Sequence, residues 1–143
     1  MSHNPSEQAI ILFMLRHLQG LGPKVSRQIV QELVETDYLF EGKASDLAQL
    51  PGLGPVHAER LFALSSKGKD YWRSQLYAGL HSGVKALCFT DTDYPKHLRH
   101  RPEMPPLLFM RGKALPQNHR VLAIVGTRNA TRYGLDFLER LMH

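Results

Sequence analysis

The chain has one cysteine, one tryptophan and no apolar run approaching the roughly 20 residues needed to span a bilayer. A single cysteine excludes an intrachain disulfide framework and makes a reducing cytoplasm the expected compartment. Cys88, within Ala86-Leu87-Cys88-Phe89, is expected to be a small buried apolar side chain. Ala9 to Leu15 is the most apolar stretch, but no basic segment precedes it and no small-residue cleavage pattern follows. It therefore predicts a buried helix, not a targeting signal or a membrane contact. Enzyme signatures are missing too. After Gly126, positions 128 and 131 are Arg and Thr, where a dinucleotide fingerprint wants glycine, and no Gly-Lys-Ser/Thr follows as in a Walker A loop. No nucleophile–histidine–acid set stands out. His97 and His100 have no evident third metal ligand, and Asp91 and Asp93 read as a turn and helix cap.

What is present is a soluble, globular composition, 43% hydrophobic and 22% charged. Its 143 residues suffice for one ordinary domain, or a small domain and part of another. Net charge is +5, and it is unevenly placed. Residues 1–83 carry 8 Lys/Arg and 8 Asp/Glu, whereas residues 84–143 carry 10 and 5. That placement points to a polyanion, with nucleic acid first in line.

Asn4 or Ser6 can cap a first helix running to about Leu18. Then Leu18-Gln19-Gly20-Leu21-Gly22-Pro23 returns thirty-two residues later as Leu50-Pro51-Gly52-Leu53-Gly54-Pro55. Ser26 and Ala58 coincide as small residues, and Ile29 and Leu61 as apolar ones. Glycines allow a very short connection with positive φ, the central leucine anchors it, and proline starts the next helix. Both copies resemble the helix-hairpin-helix motif. That resemblance implies that Gly20, Gly22, Lys24, Arg27, Gly52 and Gly54 form a secondary nucleic-acid contact, although such hairpins also serve as packing units.

A further helix over about 67–82 places Tyr71, Trp72, Leu76, Tyr77 and Leu80 on one buried face. Strands are expected over 84–89 and 107–110, with a short helix ending near His100. Residues 121–125 read as a third strand, followed by the tight turn Gly126-Thr127-Arg128 and an amphipathic helix containing Leu135, Phe137, Leu138, Leu141 and Met142. Strand, turn and helix in that order predict the opening unit of a doubly wound domain, whose turn faces a ligand crevice. The expected architecture is thus α+β to α/β. It has a helical domain over 1–83 and, over 84–143, the start of a Rossmann-like domain that continues in a larger protein.

Asp93-Tyr94-Pro95-x-x-Leu98, Pro105-Pro106-x-Leu108, Arg111-Gly112 and Val125-Gly126-Thr127-Arg128-x-x-Thr131-x-Tyr133-Gly134 together resemble the bacterial DNA-processing family DprA (also called Smf). The resemblance implies a non-catalytic protein without a cofactor. Its role would be to bind and protect single-stranded DNA and to help load the recombinase RecA during natural transformation. It also implies that Gly126, Thr127, Arg128 and Thr131 hold a backbone phosphate, with Arg128 pairing bidentately.

Two other readings compete. One is a Rossmann-type enzyme using the same turn for a nucleotide or phosphoribosyl group. The other is a helix-hairpin-helix module for duplex or branched DNA. Three strands with uncovered apolar faces would also make the chain self-associate.

Overall fold

The computed structural model describes residues 5–33, 37–81, 83–112, 122 and 124–142. The architecture is α+β: among the described residues there are eight helices and one small antiparallel sheet. Its centre is α1 (Glu7–Leu15), capped by Ser6, whose hydroxyl accepts from the Ala9 amide at 3.3 Å. Ala9, Ile10, Ile11, Leu12, Met14 and Leu15 are all buried, so α1 has no solvent-facing stripe. It is enclosed by α2 (Pro23–Glu32), α5 (Pro55–Ser65), α6 (Lys69–Gly79) and the sheet. Burying each of its large side chains contributes about 1.5–3 kcal/mol.

The leading prolines do what their positions predict. Pro23 and Pro55 occupy the first turns of α2 and α5 after extended Gly22 and Gly54, where a missing N–H costs no helix bond. Ser26, Ile29, Ala58 and Leu61 all turn inward. Between the two copies lie α3 (Tyr38–Glu41) and α4 (Ala44–Leu47), which drive Leu39 and Leu47 into the core. Four-residue helices carry no periodicity to read from sequence. Lys69 joins three elements at the surface, binding Glu7 at 2.7 Å and Asp37 at 2.8 Å. Its hydrogen bond to Asp37, then that to Glu7, raises its pKa.

On α6, Trp72 and Leu76 are buried, with the indole N–H donating to the Leu64 carbonyl at 2.8 Å. Tyr71 and Tyr77 depart from the expected buried face, being exposed. A tyrosine at a helix margin can leave its hydroxyl in water while its ring covers a neighbour. Tyr71 does this, meeting Trp72 edge-on.

Strand β1 (Val84–Cys88) pairs antiparallel with β2 (Leu107–Arg111), placing Ala86 opposite Phe109 and Cys88 opposite Leu107. Ala86, Leu87 and Cys88 are consecutive and buried, so both faces of β1 are covered there, with α1 packed against it. The burial expected of Cys88 is observed, and desolvation raises its thiol pKa. Between the strands, α7 (Lys96–Arg99) is a single turn.

The third strand is corrected. Leu122, Ile124 and Val125 belong to no strand, while Val121 and Ala123 lie outside the described residues. Val125 is 94% exposed. An extended segment needs a neighbouring ladder to satisfy its amides and carbonyls, and none pairs with these residues. The parallel sheet expected around it is likewise not seen among the described residues, whose sheet is antiparallel. The amphipathic helix does form, as α8 (Arg132–Met142). Its apolar side, including Leu135, Phe137, Leu141 and Met142, is exposed.

Candidate nucleic-acid interface

Two glycine-containing regions were singled out for phosphate contact, and their local geometries differ. In the first, Gly20 and Gly52 both adopt positive φ, 85° and 74°. The connections also interlock reciprocally. A Cβ on Gly52 would lie 2.8 Å from the Val25 side chain, and one on Gly20 would lie 3.4 Å from the His57 ring. Val25 and His57 occupy equivalent places in the repeat, so each copy fills the space left by the other's glycine. The His57 Nε2 also lies 3.3 Å from the Gln19 carbonyl oxygen.

Gly22 and Gly54 are different: a Cβ at either would meet nothing within 4 Å. Their side of each connection is open, at the N-termini of α2 and α5, where first-turn amides and the helix dipole favour an anion. Lys24 is exposed beside the first of these.

Arg27, expected at a nucleic-acid contact, also serves as an internal tie. It is only 6% exposed. Its guanidinium donates to the carbonyls of Arg99 at 2.8 Å and Met104 at 3.2 Å, with longer bonds of 3.5 Å to Leu98 and the Tyr94 hydroxyl. It also sits 4.6 Å from the centre of the Phe89 ring. These contacts join α2 to the segment between the strands.

The same segment shows what Asp93-Tyr94-Pro95-x-x-Leu98 accomplishes. Tyr94 is fully buried and donates to the Pro105 carbonyl at 2.6 Å, tying one end of the segment to the other. Burial is the main cause raising its phenol pKa, while the nearby Arg27 charge opposes the shift. Asp91 makes a turn, accepting from the Cys88 amide at 2.7 Å. Arg99 donates to the Asp91 carbonyl and, at 3.4 and 3.3 Å, to those of Thr92 and Tyr94. Arg99 was missed from sequence because its partners are backbone oxygens, which any residue supplies. Its only signal was the basic run from Lys96 to Arg101.

In the second region, Gly126, Thr127 and Arg128 are all exposed, and no contact would oppose a Cβ at Gly126. The Thr127 hydroxyl donates to the Asn129 carbonyl at 2.9 Å. The Thr131 hydroxyl accepts from the Gly134 amide at 3.2 Å and so caps α8. The hydroxyl's own proton stays available to donate. Arg128 makes no hydrogen bond or ion pair among the described residues, which leaves its planar fork presented to solvent beside a helix N-terminus.

No group of three His, Cys, Asp or Glu side chains among the described residues could hold a metal ion. No described helix is long and apolar enough to cross a membrane. The chain matches no curated protein and no solved structure. Residues 85–143 match a family model described as DNA recombination-mediator protein A, a span covering Tyr94, Arg99 and the Gly126–Arg128 turn. By that match, the C-terminal part of this chain is similar to the DNA recombination-mediator protein A family.

Proposed function

We propose that the chain is a non-enzymatic DNA-binding part of a recombination mediator, and that Gly126, Thr127 and Arg128 contact a backbone phosphate of single-stranded DNA. The observation carrying this is that the family match spans an exposed turn whose arginine has no intramolecular partner among the described residues. Gly126 lets the strand approach the backbone, Arg128 supplies two parallel donors, and the α8 dipole adds attraction. Thr131 caps that helix and donates its hydroxyl proton to the same phosphate. Single-strand protection in natural transformation, RecA loading and a cytoplasmic location complete the proposal, on the strength of the family resemblance.

Within this reading, residues 1–83 are a helical domain and residues 84–143 begin a Rossmann-like one. The uncovered apolar side of α8 supports self-association. A second reading, in which the paired hairpins grip duplex or branched DNA, is favoured by the open space at Gly22 and Gly54.

Fluorescence anisotropy with single-stranded and duplex oligonucleotides across a salt series tests both. Arg128→Ala should weaken single-strand binding about tenfold and make the salt slope shallower by roughly 0.7 for a lost phosphate contact. Binding that prefers duplex and ignores Arg128 would move the activity to the hairpins.

A further inference from the structure

Between α2 and α7 lies a cleft of about 340 Å³. Lys24, Gln28 and Gln31 line it from α2, at spacings that put them on one helix face. Arg27 on the same helix, together with Arg99 and His100, completes its polar lining. No carboxylate among the described residues lines it.

The electrostatics of its two arginines are unusual. The Arg27 guanidinium is buried, and Arg27 and Arg99 are both solvated by neutral oxygens: carbonyls for both, and the Tyr94 hydroxyl for Arg27. Neither forms an ion pair among the described residues. The Arg99 Nε is buried without an acceptor among the described residues. Charges removed from water are ordinarily matched by a counter-charge, because dipoles alone compensate them incompletely. Here the opening beside them is rimmed by an exposed lysine, amide side chains and an imidazole, all able to donate to an anion.

We propose that this cleft binds a backbone phosphate of a nucleic-acid strand, as a site separate from the Gly126–Arg128 turn. The choice of polymer rests on the DNA-binding reading above, whereas the anion preference rests on the cleft itself. The phosphate supplies the missing counter-charge to Arg27 and Arg99. Lys24, Gln28 and Gln31 bind its outer oxygens. The two arginines keep their carbonyl contacts and act through their charge and the one uncommitted Nε–H.

Two measurements on the full chain test this. In the first, inorganic phosphate is titrated against chloride at matched ionic strength while the arginine Nε–H resonances are followed by NMR. Phosphate should move the Arg99 signal most, and Lys24→Glu with Gln28→Glu should abolish the shift. In the second, single-stranded oligonucleotide binding is compared for the wild type, that double variant and Arg128→Ala. Both altered helix positions are on the surface side of α2, so the fold can be checked independently by circular dichroism.

The double variant should bind about tenfold more weakly with a shallower salt slope. A loss confined to the double variant would support the cleft and count against the turn. A loss confined to Arg128→Ala, or equal phosphate and chloride titrations, would overturn the cleft. Phosphate-specific shifts with unchanged oligonucleotide binding would also overturn the proposal, since the polymer would then not use the site.

Discussion

The two Leu-x-Gly-Leu-Gly-Pro copies build nearly the same backbone and put it to different uses. Both place a positive-φ glycine, a leucine and a proline-led helix in the same order. Yet Arg27 in the first copy corresponds to Glu59 in the second, and only Arg27 is buried. The first helix is tied through that arginine to carbonyls 71–77 residues away, while the second leaves its equivalent position in solvent. A repeat can thus be strict where backbone geometry demands it and diverge wherever a side chain meets a unique neighbour.

The largest effect should come from breaking that asymmetry. Arg27→Met removes donors from three carbonyls and should cost about 3 kcal/mol in urea unfolding, whereas Glu59→Ala should stay within about 0.5 kcal/mol. Equal losses would mean that the tie contributes little.

The glycine pair comes next. Gly52→Ala combines a positive φ with a Cβ 2.8 Å from Val25, and should cost about 2–3 kcal/mol. Gly20→Ala meets only a movable His57 ring at 3.4 Å and should cost about 1–2 kcal/mol. Val25→Ala should recover part of the Gly52→Ala loss without helping Gly20→Ala, as a double-mutant cycle would reveal.

Alkali should act on the first copy's side of the molecule. Cys88 and Tyr94 both have folded pKa values raised above their ordinary 9.0 and 10.0, so each favours folding when protonated. Their contributions are fully present below those ordinary values and decline as pH rises through them toward the raised folded ones. Tyr94→Phe should flatten the upper part of the stability–pH curve, and Cys88→Ala the lower part. A curve unchanged by both would refute the assignment.

The smallest effect is expected at the small residues facing inward. Ser26→Ala gives the first copy the residue of the second and removes a 3.2 Å bond to the Gly22 carbonyl. It should change stability by about 0.5 kcal/mol or less.

These differences also mark the limit of sequence reasoning. Ser6, Pro23 and Pro55 announce helix starts through local chemistry, and the residues around Leu87 and Leu108 announce strands through composition. Arg27 does not announce its role, because the partners are distant backbone oxygens. Tyr71 and Tyr77 share the spacing of buried residues, but exposure at a helix margin depends on what packs alongside. Leu122, Ile124 and Val125 have strand-forming side chains, yet a strand exists only with an edge to pair with. At the candidate interface, the exposed turn was legible from its glycine and arginine. The cleft between α2 and α7 was not, since its walls come from segments separated by more than sixty residues.

The burial of α1 on every side has a consequence for biosynthesis. Its sheet partner β2 follows it by about ninety residues. At synthesis rates of about 5–20 residues per second, that interval lasts roughly 5–20 s. Throughout it, Ile10, Ile11, Leu12 and Met14 lack one of the surfaces that finally encloses them. The nascent chain should therefore be a client for chaperones that hold short apolar segments, and release should coincide with emergence of the second strand.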